Sequence, residues 1–308
     1  MEQLLLFSLE PKIKRAIENL KLFEETALKM DGEGYYLSFS GGKDSQVIYH
    51  LAQMASVKFK AHYHITTVDP PELVQFIKQV YPDVKRELPK RSMWSLIVKK
   101  QFPPTRKIRY CCSELKEHGG EGRFVVTGVR WAESEKRKAW SLAQIQKSGG
   151  KTEILLNNDN HENRRILENC TMKGKYVLNP IIDWTAEEVW SFLHQYVYTY
   201  CTLYDCGFSR IGCIGCPMAS IRQRKWELNR YPKYKQLYLK TFDRMLMERA
   251  QRDKGDYPAW KNAEDVYYWW LYGSGKKESQ VQGQYCLDEA DGVIKRSDTA
   301  GFKTFTAA

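Results

Sequence analysis

The chain contains no run of about 18 apolar residues, which excludes a membrane-spanning helix. Its first residues, Met1-Glu2-Gln3-Leu4-Leu5-Leu6-Phe7, carry no basic leader and only a short apolar run. No signal peptide is expected, and the protein is expected to be cytoplasmic. No internal repeat is present. Negative charge is in short supply: 37 Asp and Glu stand against 48 Lys and Arg, for a net charge of +11. That balance suits a polyanionic partner such as nucleic acid, the plainer reading being surface lysine together with arginines that bind a nucleotide. Cysteine is not scarce, with 8 in 308 residues. In a cytosolic chain structural disulfides are not expected, so metal or redox chemistry is the better reading. The 43% apolar share fills a real core, and the length permits one large domain or one domain with a helical addition.

What is present is concentrated first in Tyr36-Leu37-Ser38-Phe39-Ser40-Gly41-Gly42-Lys43-Asp44-Ser45-Gln46-Val47-Ile48. Strand-like residues lead into two glycines, then Lys43, Asp44 and Ser45, then a helical apolar pattern. Glycine lets the backbone turn sharply and approach a ligand closely. The amides and dipole of a helix start favour an anion, and Lys43 adds a full positive charge. Ser38, Ser40, Gly41, Gly42, Lys43, Asp44 and Ser45 are therefore candidates to hold a phosphate or pyrophosphate. The spacing is not that of the kinase and GTPase P-loop, which has four residues between its glycines and a Gly-Lys-Ser/Thr ending.

Apolar periodicity predicts helices over 10–31, with Ile13, Ile17, Leu20 and Phe23 on one face, over 44–56, from Pro70-Pro71 to Tyr81, and over 92–100. Strands are expected at 35–39, 60–67, 84–87, 123–128, 154–156 and 176–178. Thr185-Ala186-Glu187-Glu188 reads as a capping box opening a helix to about Tyr196. Strands alternating with helices imply an α/β fold with a doubly wound, mostly parallel sheet, in which ligands bind at the carboxyl ends of the strands. Ser40, Asp69 and Gly128-Val129-Arg130 each follow a strand and should meet in one crevice. Asp69 carries two readings, a contact to the nucleotide or its magnesium and an N-cap before Pro70-Pro71. Residues 1–217 read as the nucleotide-binding domain, 218–285 as a basic, aromatic-rich helical subdomain, and 286–308 as a polar, loosely ordered tail.

Cys206-Gly207-Phe208-Ser209-Arg210-Ile211-Gly212-Cys213-Ile214-Gly215-Cys216-Pro217 ends in a Cys-x-x-Cys pair, which can place two thiolates on one ion or cluster. With Cys111 or Cys112 four ligands are available, and four thiolates suit a [4Fe–4S] cluster or structural zinc; spacing does not choose between them. Cys170, Cys201 and Cys286 read as small hydrophobes. Among the later residues Arg222, Arg224 and Lys225 are candidates for phosphate contact, while most of the aromatics through Tyr272 are expected to form a helical core.

The string Ser40 to Ser45 resembles the pyrophosphate loop of the adenine-nucleotide alpha hydrolases, the ATP pyrophosphatase superfamily. Gly128-Val129-Arg130-Trp131-Ala132-Glu133-Ser134-Glu135-Lys136-Arg137 is similar to an element of the phosphoadenosine-phosphosulfate reductase family, a likeness that implies Arg130 and Arg137 as phosphate clamps. Asn179-Pro180-Ile181-Ile182-Asp183-Trp184-Thr185 also resembles that family and is taken as structural. The cysteine pattern resembles two groups, the first more closely. Alignment with the iron–sulfur ATP pyrophosphatases of DNA phosphorothioation implies Cys206, Cys213, Cys216 and Cys111, in preference to Cys112. Alignment with assimilatory adenylylsulfate reductases implies Cys111, Cys112, Cys213 and Cys216. Both imply a [4Fe–4S] cluster, with zinc as runner-up.

The resemblance implies an ATP pyrophosphatase that adenylates an acceptor for sulfur insertion, using ATP and Mg2+, with Lys43, Asp44 and Arg130 at the chemistry. The implied acceptor is nucleic acid, DNA or tRNA, and a cysteine desulfurase is the implied sulfur donor. One alternative is an adenylylsulfate or phosphoadenylylsulfate reductase. The intact loop and the tail Gln284-Tyr285-Cys286-Leu287, which lacks the Glu-Cys-Gly of those enzymes, count against it. The other is a non-catalytic, ATP-sensing nucleic-acid-binding protein.

Overall fold

A computed structural model describes residues 2–117, 119–133, 143–146, 152–156, 175–252, 260–273 and 302–304. Helix α1 (Glu2–Met30) opens the chain, followed by β1 (Tyr35–Ser38), α2 (Lys43–Met54), β2 (Phe59–His64), α3 (Pro71–Val80), β3 (Lys85–Glu87), α4 (Met93–Lys100), α5 (Tyr110–Leu115) and β4 (Phe124–Val126). Then come β5 (Ala143–Gln146), β6 (Thr152–Leu156), β7 (Lys175–Leu178), α6 (Ala186–Phe192), β8 (Thr199–Cys201), α7 (Ile221–Arg230), α8 (Pro232–Gln251), α9 (Ala263–Tyr272) and β9 (Phe302–Thr304).

The main sheet has the order β3-β2-β1-β4-β7-β5-β6. Its first five strands are parallel, and β5 and β6 add an antiparallel edge. The expected mostly parallel α/β sheet is therefore present. Chain order reverses between β1 and β4, so the loops leaving those two strands open onto the crevice where ligands bind in such sheets. Tyr35, Tyr36 and Leu37 of β1 are all buried, as a central strand covered on both faces requires.

Two cores hold the molecule. The first packs α1, α2, α3 and α6 around the sheet through Leu20, Ile48, Leu51, Phe76, Phe124 and Trp184. The second joins α4 and α5 to α7, α8 and α9 through Leu96, Ile97, Leu115, Phe242 and Trp270. Val68 and Ile214 also belong to it, so this second core draws on both sides of residue 217. Among the described residues no helix is long and apolar enough to cross a membrane.

Several boundaries differ from expectation. Helix α1 begins at Glu2 rather than residue 10 and tolerates Pro11 within it; a single proline removes one hydrogen bond, and the buried face of Leu9, Ile13, Ala16 and Leu20 outweighs that loss. The capping box is present at Thr185 and Glu188, but the α-helix stops at Phe192 and a π-turn, Leu193–Val197, follows. Within the tail, β9 pairs antiparallel with β8.

His50 of α2 lies against Tyr49 and Tyr81, 3.1 Å from the Tyr81 hydroxyl. That hydroxyl donates to Gln46 Oε1, so His50 Nε2–H is the donor to it. Burial pushes the imidazole down from 6.5 to about 4. Between those values the unfolded chain takes a proton that the folded chain declines. Stability should therefore fall as pH drops across that window, by at most about 3 kcal/mol from this residue. Urea midpoints for wild type and His50→Gln at pH 7 and pH 4.5 check it; the variant should lose less on acidification.

Candidate active site

The loop leaving β1 turns at Gly41, whose φ is 73°. A Cβ there would stand 2.7–2.8 Å from the Ile77 and Leu73 side chains, so both conformation and space demand glycine. Gly42 caps α2 without a side chain. Ser45 Oγ donates to the Gly42 carbonyl at 2.8 Å and Gln46 Nε2 to the Gly41 carbonyl at 3.2 Å, which braces the loop from inside. Ser38 and Ser40 are exposed at the strand end. Gly128, in the loop leaving β4, packs on the first turn of α2: a Cβ there would meet the Asp44 carbonyl at 2.9 Å.

Positive charge gathers over this loop. Arg130 is buried; its Nε donates to Asp44 Oδ1 at 2.6 Å and its Nη1 to the Trp184 carbonyl at 3.1 Å. The Asn179–Thr185 string thus earns its structural reading, because buried Trp184 fixes the guanidinium through its backbone. Lys43 Nζ donates to the Ser209 carbonyl at 3.3 Å and lies 3.6 Å from Asp44 Oδ2. Burial holds the Lys43 ammonium below its ordinary value; Asp44 opposes this, and the charges of Arg130 and Arg210 add to it. Asp44 is thus divided between Lys43 and Arg130. Arg210 is exposed and has no carboxylate partner among the described residues. Such an excess of cations at a helix N-terminus is an anion site. Arg137 lies outside the described residues.

Asp69 is buried after β2, and its N-cap reading does not hold. It does not cap α3, whose N-cap is Pro70 without a side-chain bond; its Oδ2 instead accepts from Thr66 N at 2.6 Å. Its charge acts on Lys116 and Cys213, which places it at the thiol site. A groove of about 550 Å³ runs from Asp69 along Val74, Gln75 and Lys78 to Tyr234, and none of the residues 40–45 lines it.

Cys111, Cys112 and Cys213 pack together in the second core, and Cys216 follows Cys213 in the same turn; the charges of Cys112, Cys213 and Cys216 all act on Cys111. Cys213 Sγ donates to Thr66 Oγ1 at 3.5 Å, and Ile214 N to the Val68 carbonyl at 2.8 Å. Cys206 stands apart: it packs against the first core, and its Sγ accepts from Arg230 Nη2 at 3.6 Å. The geometry therefore groups the adjacent pair with Cys-x-x-Cys and leaves out Cys206. Hydrogen bonding from Cys111, joined by Arg109 and Lys116, pulls the Cys112 thiol down, while burial pushes Cys213 up against Lys116. Cys213 and Asp69 in turn raise Lys116. Lys116 is exposed at the end of α5. Among the described residues no three His, Cys, Asp or Glu stand at metal-holding positions. As a donor set, however, four thiols flanked by two cations fit a four-thiolate centre.

Two sequence expectations about the basic half resolve differently. Most of the aromatics are core: Tyr238, Trp260, Tyr267, Trp270 and Tyr272 are buried. Arg224, expected at phosphate, is 5% exposed; it donates to the Leu271 and Trp270 carbonyls and stacks on the Trp270 ring. A guanidinium satisfies two carbonyls and a ring face at once, which suits it to lock α7 onto α9.

Sequence reasoning missed Tyr204, Ser209, Arg210 and Lys116 as site residues. Tyr204 Oη accepts from Lys43 N at 2.8 Å, and Lys43 Nζ lies over its ring. The available signal was that Ser209 and Arg210 sit inside the cysteine motif, so any cysteine there near the crevice carries them with it.

This is a nucleotide-binding α/β crevice with an anion-binding loop. A model of the phosphoadenosine phosphosulfate reductase domain matches residues 34–219, and the chain belongs to that family. It is 29% identical over 216 residues to an uncharacterized protein of Methanocaldococcus jannaschii, covering 67% of this chain and 46% of that one. It is 25% identical over 221 residues to adenosine 5'-phosphosulfate reductase of Pseudomonas aeruginosa, covering 66% of this chain and 75% of the enzyme. Candida glabrata FMN adenylyltransferase superposes with a TM-score of 0.41 at 18% identity, over 73% of this chain and 72% of that one. The chain spans between 33% and 46% of the length of the first curated relatives it matches.

Proposed function

We propose that the protein is an ATP pyrophosphatase that adenylates a nucleic-acid acceptor for sulfur insertion. The observation that carries this reading is one strap of chain, residues 204–216. At one end Tyr204 and Ser209 bond Lys43 of the phosphate loop; at the other Cys213 bonds Thr66 within the thiol group. One segment thus links the anion loop to the cysteine group, which supports a shared reaction at the two. The net charge of +11 supports a polyanionic acceptor.

An acceptor oxygen attacks the α-phosphorus of ATP. The bond from that phosphorus to its bridging oxygen breaks, and pyrophosphate leaves with the electron pair. Lys43, Arg130, Arg210 and the start of α2 stabilise the charge that builds on the leaving group. A sulfur nucleophile from a donor, such as a cysteine desulfurase, then attacks the activated centre, and AMP departs with the bonding pair. Mg2+ would enter on the phosphate oxygens, because Asp44 is committed to Lys43 and Arg130. Cys111, Cys112, Cys213 and Cys216 would hold a [4Fe–4S] cluster, or zinc as second choice, and a bound cluster would supply a site for sulfur or electrons.

The test is product analysis of anaerobic protein with magnesium and ATP labelled at the α-phosphate, with and without DNA or tRNA. AMP and pyrophosphate in equal amounts, stimulated by one nucleic acid, are expected. ADP with phosphate, or no cleavage with any acceptor, sinks the reading. A second reading, adenylylsulfate reductase, is favoured by the grouping of the adjacent cysteine pair with Cys213 and Cys216. Sulfite and AMP from adenylylsulfate plus a thiol reductant, with ATP untouched, would establish it.

A further inference from the structure

The positive charge of the chain is not spread evenly. Ten lysines and arginines and only two carboxylates fall in residues 85–116, so this stretch carries +8 of the net +11. Its apolar side, Met93, Leu96, Ile97, Tyr110 and Leu115, is buried in the second core. Its charges remain outside: Lys90, Arg91, Lys99, Lys107 and Arg109 are exposed. Glu114 pairs with Lys100 at 2.8 Å, and Lys99 and Arg91 act on the same carboxylate, so one acid serves three cations. That shared acid also brings α4, the turn before it and α5 onto one face.

The charge continues along α5: Arg109 at its start and Lys116 at its end are exposed, and both act on the Cys112 thiol. Arg106 donates to the carbonyls of Pro217, Met218 and Ala219, which fixes the loop carrying this charge to the turn after the Cys-x-x-Cys pair. Helices α7 and α8, the expected phosphate face, also carry nine cations against three carboxylates, but more than half of those cations are engaged: Arg224 is buried, Arg230 pairs with Glu72, Arg249 donates to the Gln101 carbonyl, and Lys225 and Lys235 lie over the rings of Tyr272 and Tyr267.

We propose that the face formed by Lys90, Arg91, Lys99 and Lys107 is the docking track for a nucleic-acid phosphate backbone, which leads the strand to the cysteine group past Arg109 and Lys116. This rests on the nucleic-acid acceptor proposed above. A polymer of phosphates fits a track of cations that ends at the reacting site; an acidic protein needs only a patch, and that partner is an outcome of the test.

The experiment compares wild type with two charge-matched variants. One carries Lys90→Glu, Arg91→Glu, Lys99→Glu and Lys107→Glu. The other carries Lys233→Glu, Lys235→Glu, Lys240→Glu and Arg244→Glu on α8. Binding of fluorescein-labelled single-stranded DNA, duplex DNA and RNA is followed by anisotropy across a salt series, with ATP cleavage without acceptor measured in parallel. The track variant should lose at least ~10-fold affinity at moderate salt, and its log–log salt slope should shrink by ~3, one increment of ~0.7 for each lost contact to a single strand. The α8 variant should bind within ~2-fold of wild type, and both should keep basal ATP cleavage, because none of these residues lines the phosphate loop. Equal losses in the two variants would mean that net charge alone acts, and would overturn the track. So would wild type that binds no nucleic acid; if it still cleaves ATP, the nucleotide reading survives and an acidic protein partner takes the place of nucleic acid on this face. If the reversals fail to fold by thermal melting, the four-fold glutamine version is used, with the same order of affinities expected.

Discussion

Lys43→Ala should lower AMP release from ATP by about 10²–10³-fold, the loss typical when one preorganised donor to a developing oxyanion is removed. The structure gives the reason for an effect that large. Lys43 is 8% exposed at the start of α2, with its ammonium held by the Ser209 carbonyl and Asp44, so it is positioned before any ligand arrives. Arg210→Ala should weaken inorganic pyrophosphate binding by about 10-fold or more, as expected for a charge-assisted contact, and leave adenosine binding unchanged. The pH dependence has a definite sign. Phosphate binding needs the Lys43 ammonium, whose pKa burial lowers. Affinity for pyrophosphate should therefore decline as pH rises through that lowered value, earlier than for an ordinary lysine. Lys43→Arg, which stays charged, should flatten the profile. Calorimetric titration with pyrophosphate from pH 7 to pH 10 reads both, and a profile unchanged between wild type and Lys43→Arg would remove Lys43 from the anion site.

Local chemistry made the strand–loop–helix around Gly41 and the capping box at Thr185 readable. Their signals lie within six residues of one another and depend on backbone conformations few residues can adopt. The parallel order was readable because each strand is followed by a helix. Strand β5 and helix α5 were not. β5 exists through antiparallel pairing with β7 and β6, a partnership separated by up to 35 residues, and α5 spans six residues with no side-chain cap. The site divides along the same line. Residues that must be glycine or lysine at a helix start announce themselves. Arg210 and Lys116 matter only because a strap and a helix end arrive over the crevice from elsewhere. Arg224 shows the converse error: in sequence it is one more cation among aromatics, and only the carbonyls of Trp270 and Leu271 reveal that it is spent inside.

Cys112→Ser should reduce the bound metal to background, and Cys206→Ser should leave it at the wild-type content. The two cysteine alignments disagree on these residues, so the pair of variants separates them. The packing sides with Cys112, which joins Cys111 and Cys213 in the second core, whereas Cys206 packs on the first core and accepts from Arg230. Cys213→Ser should behave like Cys112→Ser, because Cys213 anchors the strap to Thr66 and a thiolate centre there would tie α5 to the 213–216 turn. Such a tie contributes to folding itself, so the ligand variants should also melt at lower temperature than Cys206→Ser. Elemental analysis and visible absorbance of anaerobically purified protein decide the matter: iron with sulfide and brown colour identify the cluster, and zinc identifies the structural ion. Full metal in Cys112→Ser and none in Cys206→Ser would overturn this grouping and put Cys206 on the metal, on the same strap that holds Lys43 through Ser209.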